Sequence, residues 1–189
     1  MKTTTKNLTL SAMFMAIGMV LPILIGQIQQ IGNMLLPMHI PVLLCGLICG
    51  WQYGMTVGFV LPLFRSIVFG MPMLYPVAVA MAFELATYGL VTGLLYGCSR
   101  YKCIKALYRA MIVAMFTGRI VWGIVEVILL GIGGNAFTWK MFITGALLNA
   151  IPGIIIQLTF IPALMLVLNK TGLVQNNNKS RAVQGMEEQ

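Results

Sequence analysis

Four charged side chains lie inside otherwise apolar segments of this sequence: Arg65, Glu84, Arg119 and Glu126. In a membrane-spanning segment each such charge costs about 2.5–3.5 kcal/mol on insertion scales, so it usually has a partner or a function. One interpretation pairs Arg65 with Glu84 and Arg119 with Glu126 as buried ion pairs. The other interpretation places the charges around a polar ligand, and the sequence leaves both open.

The composition indicates that a lipid bilayer is the solvent of this chain. The 189 residues are 59% hydrophobic and only 8% charged, whereas soluble domains carry about 25% charged residues. Residues 8–64 contain no Lys, Arg, Asp or Glu at all. This stretch is much longer than the roughly 20 residues that one span requires, so it must fold back on itself.

Glycine, proline and charged residues divide the chain into apolar segments that predict six spans. They are residues 8–25, residues 38–50, a third span that follows a tight turn at 50–54 and ends at 69, and residues 77–96, 110–131 and 141–168. The linkers are residues 26–33, a proline-containing loop at 70–76, a basic loop that reaches residue 109, and a turn at 133–135. The predicted fold is an all-α, six-helix transmembrane bundle of residues 1–170, followed by a polar tail at 171–189 that we expect to be disordered.

The positive charges predict that both termini are cytoplasmic. The first segment follows two lysines, as in a signal peptide, but no small-x-small cleavage site comes after it, so we expect it to be retained. With the N-terminus inside, nine Lys and Arg residues are cytoplasmic and only Lys140 is external. Cytoplasmic loops normally carry this excess. The nine are Lys2, Lys6, Arg100, Lys102, Lys105, Arg109, Lys170, Lys179 and Arg181.

This topology places the polar groups of several neighbouring spans in the outer half of the bundle. We predict a ligand site that opens outwards rather than a continuous pore, which would need polar lining at both ends. The predicted contacts are Glu84, Trp122, Glu126 and Asn149, with Arg65, Arg119, Tyr88 and His39 as further candidates. For His39 we expect a hydrogen bond at a helix end or in a loop, and Tyr75 is the next candidate if the carboxylates prove structural.

Several functions are disfavoured by what the sequence lacks. It has no Asp, one His, no HExxH motif, no nucleophile elbow and no Walker A motif, so we expect neither an enzyme nor an ATPase. The four cysteines form the pairs Cys45/Cys49 and Cys98/Cys103, without zinc-site spacing, and we expect no metal or cofactor. The cations flank apolar segments without interleaved aromatic residues, which is typical of a topology signal and not of nucleic-acid binding.

Small residues recur at four-residue spacing, which lets helix backbones approach closely in lipid. In span four these are Ala78, Ala82 and Ala86, followed by Gly89, Gly93 and Gly97, and we expect them to pack inside the bundle. A glycine series at 46, 50, 54 and 58 has the same spacing, although the predicted turn interrupts it. In span one, Ala12 and Ala16 could serve either the bundle or a partner protein.

Three segments carry a resemblance to a known family. Residues 10–16 (LSAMFMA) resemble the alanine-motif first helix of the S components of energy-coupling factor (ECF) vitamin transporters. Residues 40–46 (IPVLLCG) and 50–54 (GWQYG) resemble the second helix of that family and its glycine-bounded turn into the third. Together with the size and the six predicted spans, the resemblance covers residues 9–168.

The resemblance implies a division of labour between subunits. An S component binds a vitamin or vitamin precursor from outside, and a shared transmembrane T component and two ATPases drive uptake across the bacterial plasma membrane. Ala12 and Ala16 would then face the T component, and the ligand would lie between the outer parts of spans four to six and the outer loops. Two intramembrane arginines favour the pantothenate- and folate-type branch, because arginine binds anions through charge-assisted hydrogen bonds. A neutral or cationic heterocyclic vitamin stays open, since Glu84 and Glu126 could neutralise both arginines.

Two other classes of function remain possible from the sequence. One is a stand-alone transporter in which Glu84 or Glu126 couples transport to a proton. The other is a membrane scaffold or assembly factor without transport activity. Copurification with a T component and ATPases would distinguish an S component from both of these classes.

Overall fold

The computed structural model describes residues 2–25, 37–99, 103–132 and 151–170, and all regular structure in these ranges is helical. The helices are α1 (Lys2–Ile25), α2 (His39–Cys49), α3 (Trp51–Phe69), α4 (Val79–Gly97), α5 (Ile104–Ile132) and α6 (Ile151–Lys170). A π-helical turn at Leu74–Ala78 leads into α4. The predicted all-α fold class is therefore confirmed for the described residues.

Four stretches of the described chain are long and apolar enough to cross a membrane: Thr4–Leu24, Trp51–Phe69, Leu74–Gly97 and Ile104–Gly131. Two shorter apolar helices, His39–Cys49 and Pro152–Leu168, accompany them. With 11 residues, α2 is about 16 Å long, which is less than the roughly 30 Å of a hydrocarbon core. The predicted linker at 26–33, the turn at 133–135, the first part of span six and the tail at 171–189 lie outside the described residues.

Three predicted boundaries are wrong. The turn between α2 and α3 is not residues 50–54 but Gly50 alone, with φ of 100°, because Trp51–Phe69 is already helical. The basic loop is shorter than predicted, since α5 begins at Ile104 and carries Lys105 and Arg109 in its first turns. The first helix begins at Lys2 instead of residue 8. The predicted end of span three at Phe69 is confirmed, with Gly70 at φ of 70° donating its N–H to Ser66 O at 2.9 Å.

The fourth helix is the centre of the bundle. It packs against α2, α3 and α5, while α1 packs against α2 and α3, and α6 packs against α5 and α2. Fully buried apolar side chains from five helices fill the space between them: Leu43, Leu61, Leu85, Met111, Ile161 and Met165. Because helices four and five are in direct contact, a polar side chain on one can reach the other.

Glycines set the spacing around α4. A Cβ atom on Gly54 would lie only 2.6 Å from the Cα of Gly46 and 2.8 Å from the carbonyl oxygen of Gly89. Any side chain here would therefore force backbones apart. The prediction that the small residues of span four pack inside the bundle is confirmed for Gly89 and Gly93, which meet the backbones of Gly54 and Trp51, whereas Gly97 faces open space.

Candidate functional site

The carboxylate of Glu84 lies at the centre of a buried polar cluster between α2, α4 and α5. Glu84 is only 2% exposed, and its Oε1 atom lies 3.0 Å from Nη1 of Arg119 on α5. The hydroxyl of Tyr88, one turn further along α4, donates a hydrogen bond of 2.9 Å to the same oxygen. The arginine supplies the opposite charge that a carboxylate needs when it is removed from water.

The imidazole of His39 completes this group, which we call the Glu84 cluster: Glu84, Tyr88, Arg119 and His39. As the first residue of α2, His39 is 1% exposed, and its Nε2 lies 3.6 Å from Oε1 of Glu84. That distance is too long for a hydrogen bond. The His39 and Tyr88 rings lie 5.2 Å apart at an angle of 56°. The predicted position of His39 at a helix end is confirmed, but neither ring nitrogen has a hydrogen-bond partner among the described residues, so the expected hydrogen bond stays a prediction.

Gly118 allows Tyr88 to reach Glu84. The ring of Tyr88 lies against the backbone of α5 at Gly118, where a Cβ atom would come within 3.0 Å of Cζ and closer still to two other ring atoms. The missing Cβ at Gly118 therefore leaves the space in which the Tyr88 ring lies when its hydroxyl reaches Glu84.

The cluster continues along one face of α5 towards the end of this helix. Arg119, Trp122 and Glu126 are spaced three and four residues apart, so they lie on the same side of the helix. On the same side, before Gly118, Met111 and Met115 are buried and apolar. Between Met111 and Glu126 this side of α5 therefore changes from apolar to polar.

Several buried polar atoms of this region have no hydrogen-bond partner among the described residues. They include Nε and Nη2 of Arg119 and Oε2 of Glu126. A buried polar group left without a partner costs about 1–3 kcal/mol, and more when it is charged. Such atoms in a native protein need an explanation, and a bound small molecule with complementary groups is one.

A comparison with protein families bears on this arrangement. A family model described as "ECF transporter, substrate-specific component" matches residues 6–165. This chain belongs to that family. No match was found among curated proteins or among solved structures.

As an ECF substrate-specific component, the chain is a multi-pass membrane protein and a transporter subunit, not an enzyme. Membership implies a small-molecule substrate and, in general terms, partners from a T-component and ATPase module. The resemblance that was read from residues 10–16, 40–46 and 50–54 is confirmed. Family membership does not identify the substrate, which has to be inferred from the residues of the site.

The S component pairs its charges differently from the predicted ion pairs. Arg119 pairs with Glu84, and among the described residues no ion pair joins Arg65 to Glu84 or Arg119 to Glu126. Arg65 instead donates from Nη1 to the carbonyl oxygen of Met19 at 2.7 Å, and its guanidinium lies 5.5 Å from the centre of the Phe69 ring. Of the two interpretations that the sequence left open, the pairing of Arg65 with Glu84 and of Arg119 with Glu126 is therefore not observed among the described residues, because depth along a helix does not determine which way a side chain points.

The carbonyl that Arg65 binds lies in the turn before Pro22. A proline inside a helix has no N–H to donate and disturbs the hydrogen bonds of the preceding turn. The carbonyl that loses its own donor at Pro22 is that of Gly18, four residues earlier, so Arg65 binds the carbonyl of Met19 next to the disturbed position. This contact gives Arg65 a structural task at the end of α1.

The remaining predicted residues of the S component are distributed as follows. Trp122 is partly buried on the polar face of α5, and Tyr75 is exposed and donates its hydroxyl hydrogen to the carbonyl oxygen of Leu129 near the end of that helix. Asn149 lies outside the described residues. Tyr75 is therefore attached to α5 near the end of that helix and does not join the Glu84 cluster.

Sequence reasoning missed Gln157 on α6. This side chain is 1% exposed, and its Nε2 atom has no hydrogen-bond partner among the described residues. The helix that carries it packs against α5 and α2, which hold Arg119 and His39. The signal was available, because Gln157 is the one amide in the apolar run from Ile151 to Leu168.

Proposed function

We propose that this S component binds a vitamin or vitamin precursor from the outside and hands it to a T component and two ATPases for ATP-driven uptake. The observation that carries the proposal is the Glu84 cluster, whose polar side is continued along α5 by Trp122 and Glu126. Buried atoms of His39, Arg119 and Glu126 have no hydrogen-bond partner among the described residues. The pantothenate- and folate-type branch is favoured, because the cluster contains an arginine that can bind an anionic group through charge-assisted hydrogen bonds.

The proposed ligand site comprises the Glu84 cluster with Trp122, Glu126 and Asn149. Arg65 is retained as a secondary candidate, because one nitrogen of its guanidinium already donates a hydrogen bond to Met19 O. The cluster lies nearer the end of the bundle that holds His39 and Phe69 than the end that holds the turn at Gly50. In the proposed topology that end faces outwards, where the substrate arrives.

The proposed topology has six spans with both termini cytoplasmic in the bacterial plasma membrane. It rests on the positive-inside rule, because this topology places nine Lys and Arg residues on the cytoplasmic side and one, Lys140, on the external side. We expect a membrane-impermeant thiol reagent to label Phe137→Cys in intact cells, in a variant that has no other cysteine. The matched variant that retains only Cys103, which is exposed, should be labelled after permeabilisation alone. Labelling of Cys103 in intact cells would reverse the topology.

The proposed contact with the T component is the exposed face of α1. Ala12 and Ala16 are exposed, whereas Ser11, Phe14 and Gly18 on the same helix are buried against the bundle. Two small residues one turn apart allow another helix to approach closely. This exposure supports the partner interpretation of the alanines over packing within the bundle.

Reconstitution tests the proposed function. Vesicles that contain this chain, a T component and both ATPases should accumulate a radiolabelled vitamin such as pantothenate or folate when ATP is supplied on the ATPase side. Vesicles that lack the T component should bind the vitamin without accumulating it. Accumulation by the chain alone under a proton gradient would instead support the stand-alone transporter, for which the unpaired Oε2 of Glu126 is the candidate proton carrier.

A further inference from the structure

Among the described residues, the guanidinium of Arg119 uses only one of its edges. Nη1 faces Glu84 at 3.0 Å, while Nε and Nη2 are buried and have no hydrogen-bond partner among the described residues. These two nitrogens lie on the same edge of the planar group and point two N–H bonds in parallel. A carboxylate accepts that pair of bonds with both oxygens, which is the strongest and most specific way in which arginine binds an anion.

The one carboxylate that contacts Arg119 in the described part of the chain leaves this edge to a ligand. Glu84 meets Arg119 at Nη1, with its Oε1 at 3.0 Å. The same oxygen lies 3.6 Å from Nε2 of His39. A ligand carboxylate would therefore gain its attraction from the hydrogen bonds of Nε and Nη2.

Glu126 defines the other end of the site. It lies seven residues beyond Arg119 on the same face of α5, which places it about 10 Å further outwards along the helix. Its buried Oε2 atom has no partner among the described residues. A carboxylate oxygen attracts a hydrogen-bond donor such as an amide N–H, a hydroxyl or an amine.

We propose that the substrate is a carboxylate-bearing molecule that enters with its carboxylate inwards, on the Nε/Nη2 edge of Arg119, and with a hydrogen-bond donor outwards near Glu126. This inference rests on the proposed function and adds the class and the orientation of the ligand. Trp122, between the two ends, contributes an apolar and aromatic wall to the middle of the substrate.

The test compares carboxylates with neutral analogues on the purified full-length protein. The probes are four pairs: pantothenate and pantothenol, folate and its dimethyl ester, biotin and biotinamide, and nicotinate and nicotinamide. Thiamine, riboflavin and pyridoxine serve as vitamins without a carboxylate. Melting temperature and dissociation constant are measured for each probe. At least one carboxylate should raise the melting temperature and bind at least about tenfold more tightly than its neutral partner.

Two charge-conserving variants test whether Arg119 causes the preference for carboxylates. Arg119→Lys keeps the positive charge but cannot form the paired N–H bonds, so it should lose the preference for the carboxylate. Arg109→Lys makes the same substitution at an exposed position of the same helix and should retain it. The comparison in the unsubstituted protein decides the matter by itself if Arg119→Lys does not fold.

The inference is overturned if no carboxylate stabilises the protein, if each neutral analogue binds as well as its acid, or if only a vitamin without a carboxylate binds. Its failure can be distinguished from failure of the proposed function. ATP-driven uptake of thiamine, riboflavin or pyridoxine with the T component would keep the function and remove the inference. A preference for carboxylates without any uptake that depends on the T component and ATPases would keep the inference and remove the proposed function.

Discussion

Glu84→Gln should lower the melting temperature of the ligand-free protein strongly. The substitution removes the charge that balances Arg119 at 3.0 Å, at a position that is only 2% exposed, and it weakens the acceptor of the Tyr88 hydroxyl. Removing one partner of a buried ion pair costs about 3–5 kcal/mol, because the other charge is left uncompensated. The measurement is thermal unfolding in detergent, with retention of the purified monomer peak as a check on folding.

Glu126→Gln is the matched control and should behave in the opposite way. Glu126 is partly buried and lacks an ion-pair partner among the described residues, so the melting temperature of the ligand-free protein should stay nearly fixed. Ligand affinity should fall, by about tenfold for each 1.4 kcal/mol lost. An unchanged melting temperature for Glu84→Gln, or an unchanged affinity for Glu126→Gln, would contradict the roles assigned to these two carboxylates.

Ala12→Trp or Ala16→Trp should abolish ATP-driven uptake while leaving ligand binding intact. Both alanines are exposed on α1, so an indole ring there would collide with an approaching helix of the T component and not with the bundle. Uptake into vesicles and vitamin binding to the isolated chain are measured on the same preparations. Copurification of the T component should be lost in parallel with uptake.

Ile112→Trp provides the control for bulk. Ile112 is 54% exposed on α5, away from the proposed partner face, and a tryptophan there should leave both uptake and copurification unchanged. Loss of binding together with uptake in the alanine variants would place Ala12 and Ala16 inside the bundle. Normal uptake in both would move the T-component contact to another surface.

In this chain the sequence predicts where helices lie better than it predicts where the adjoining loops begin and end. An apolar run bounded by glycine specifies that a helix exists and roughly where it ends, as at Phe69 and Gly70. It does not specify a helix start when polar residues continue the helix beyond the membrane, which is why the basic residues Lys105 and Arg109 were assigned to a loop. Helix propensity does not stop at the lipid boundary, and both residues are good helix formers.

The partners of the charged residues illustrate a second limit. Sequence spacing fixes the depth of Arg65 and Glu84 along their helices, but the rotation of each helix decides whether the side chains meet. That rotation is set by close backbone contacts, such as the one between Gly54 and Gly89, which involve residues far apart in the chain. The polar residues inside the apolar segments could therefore be predicted as a list, whereas the pairing of Arg119 with Glu84 could not.

The glycine contacts around α4 separate two kinds of position among the relatives of this chain. At residues 46, 54 and 89 a methyl group already meets backbone atoms of another helix, so relatives that share the bundle should tolerate almost no variation there, whatever they transport. Positions 119, 122 and 126 belong to the proposed ligand site, so we expect them to vary with the substrate instead. An alignment of S components should thus show invariant small residues beside a column of α5 residues that changes with the vitamin, and covariation within that column would sort the relatives by cargo.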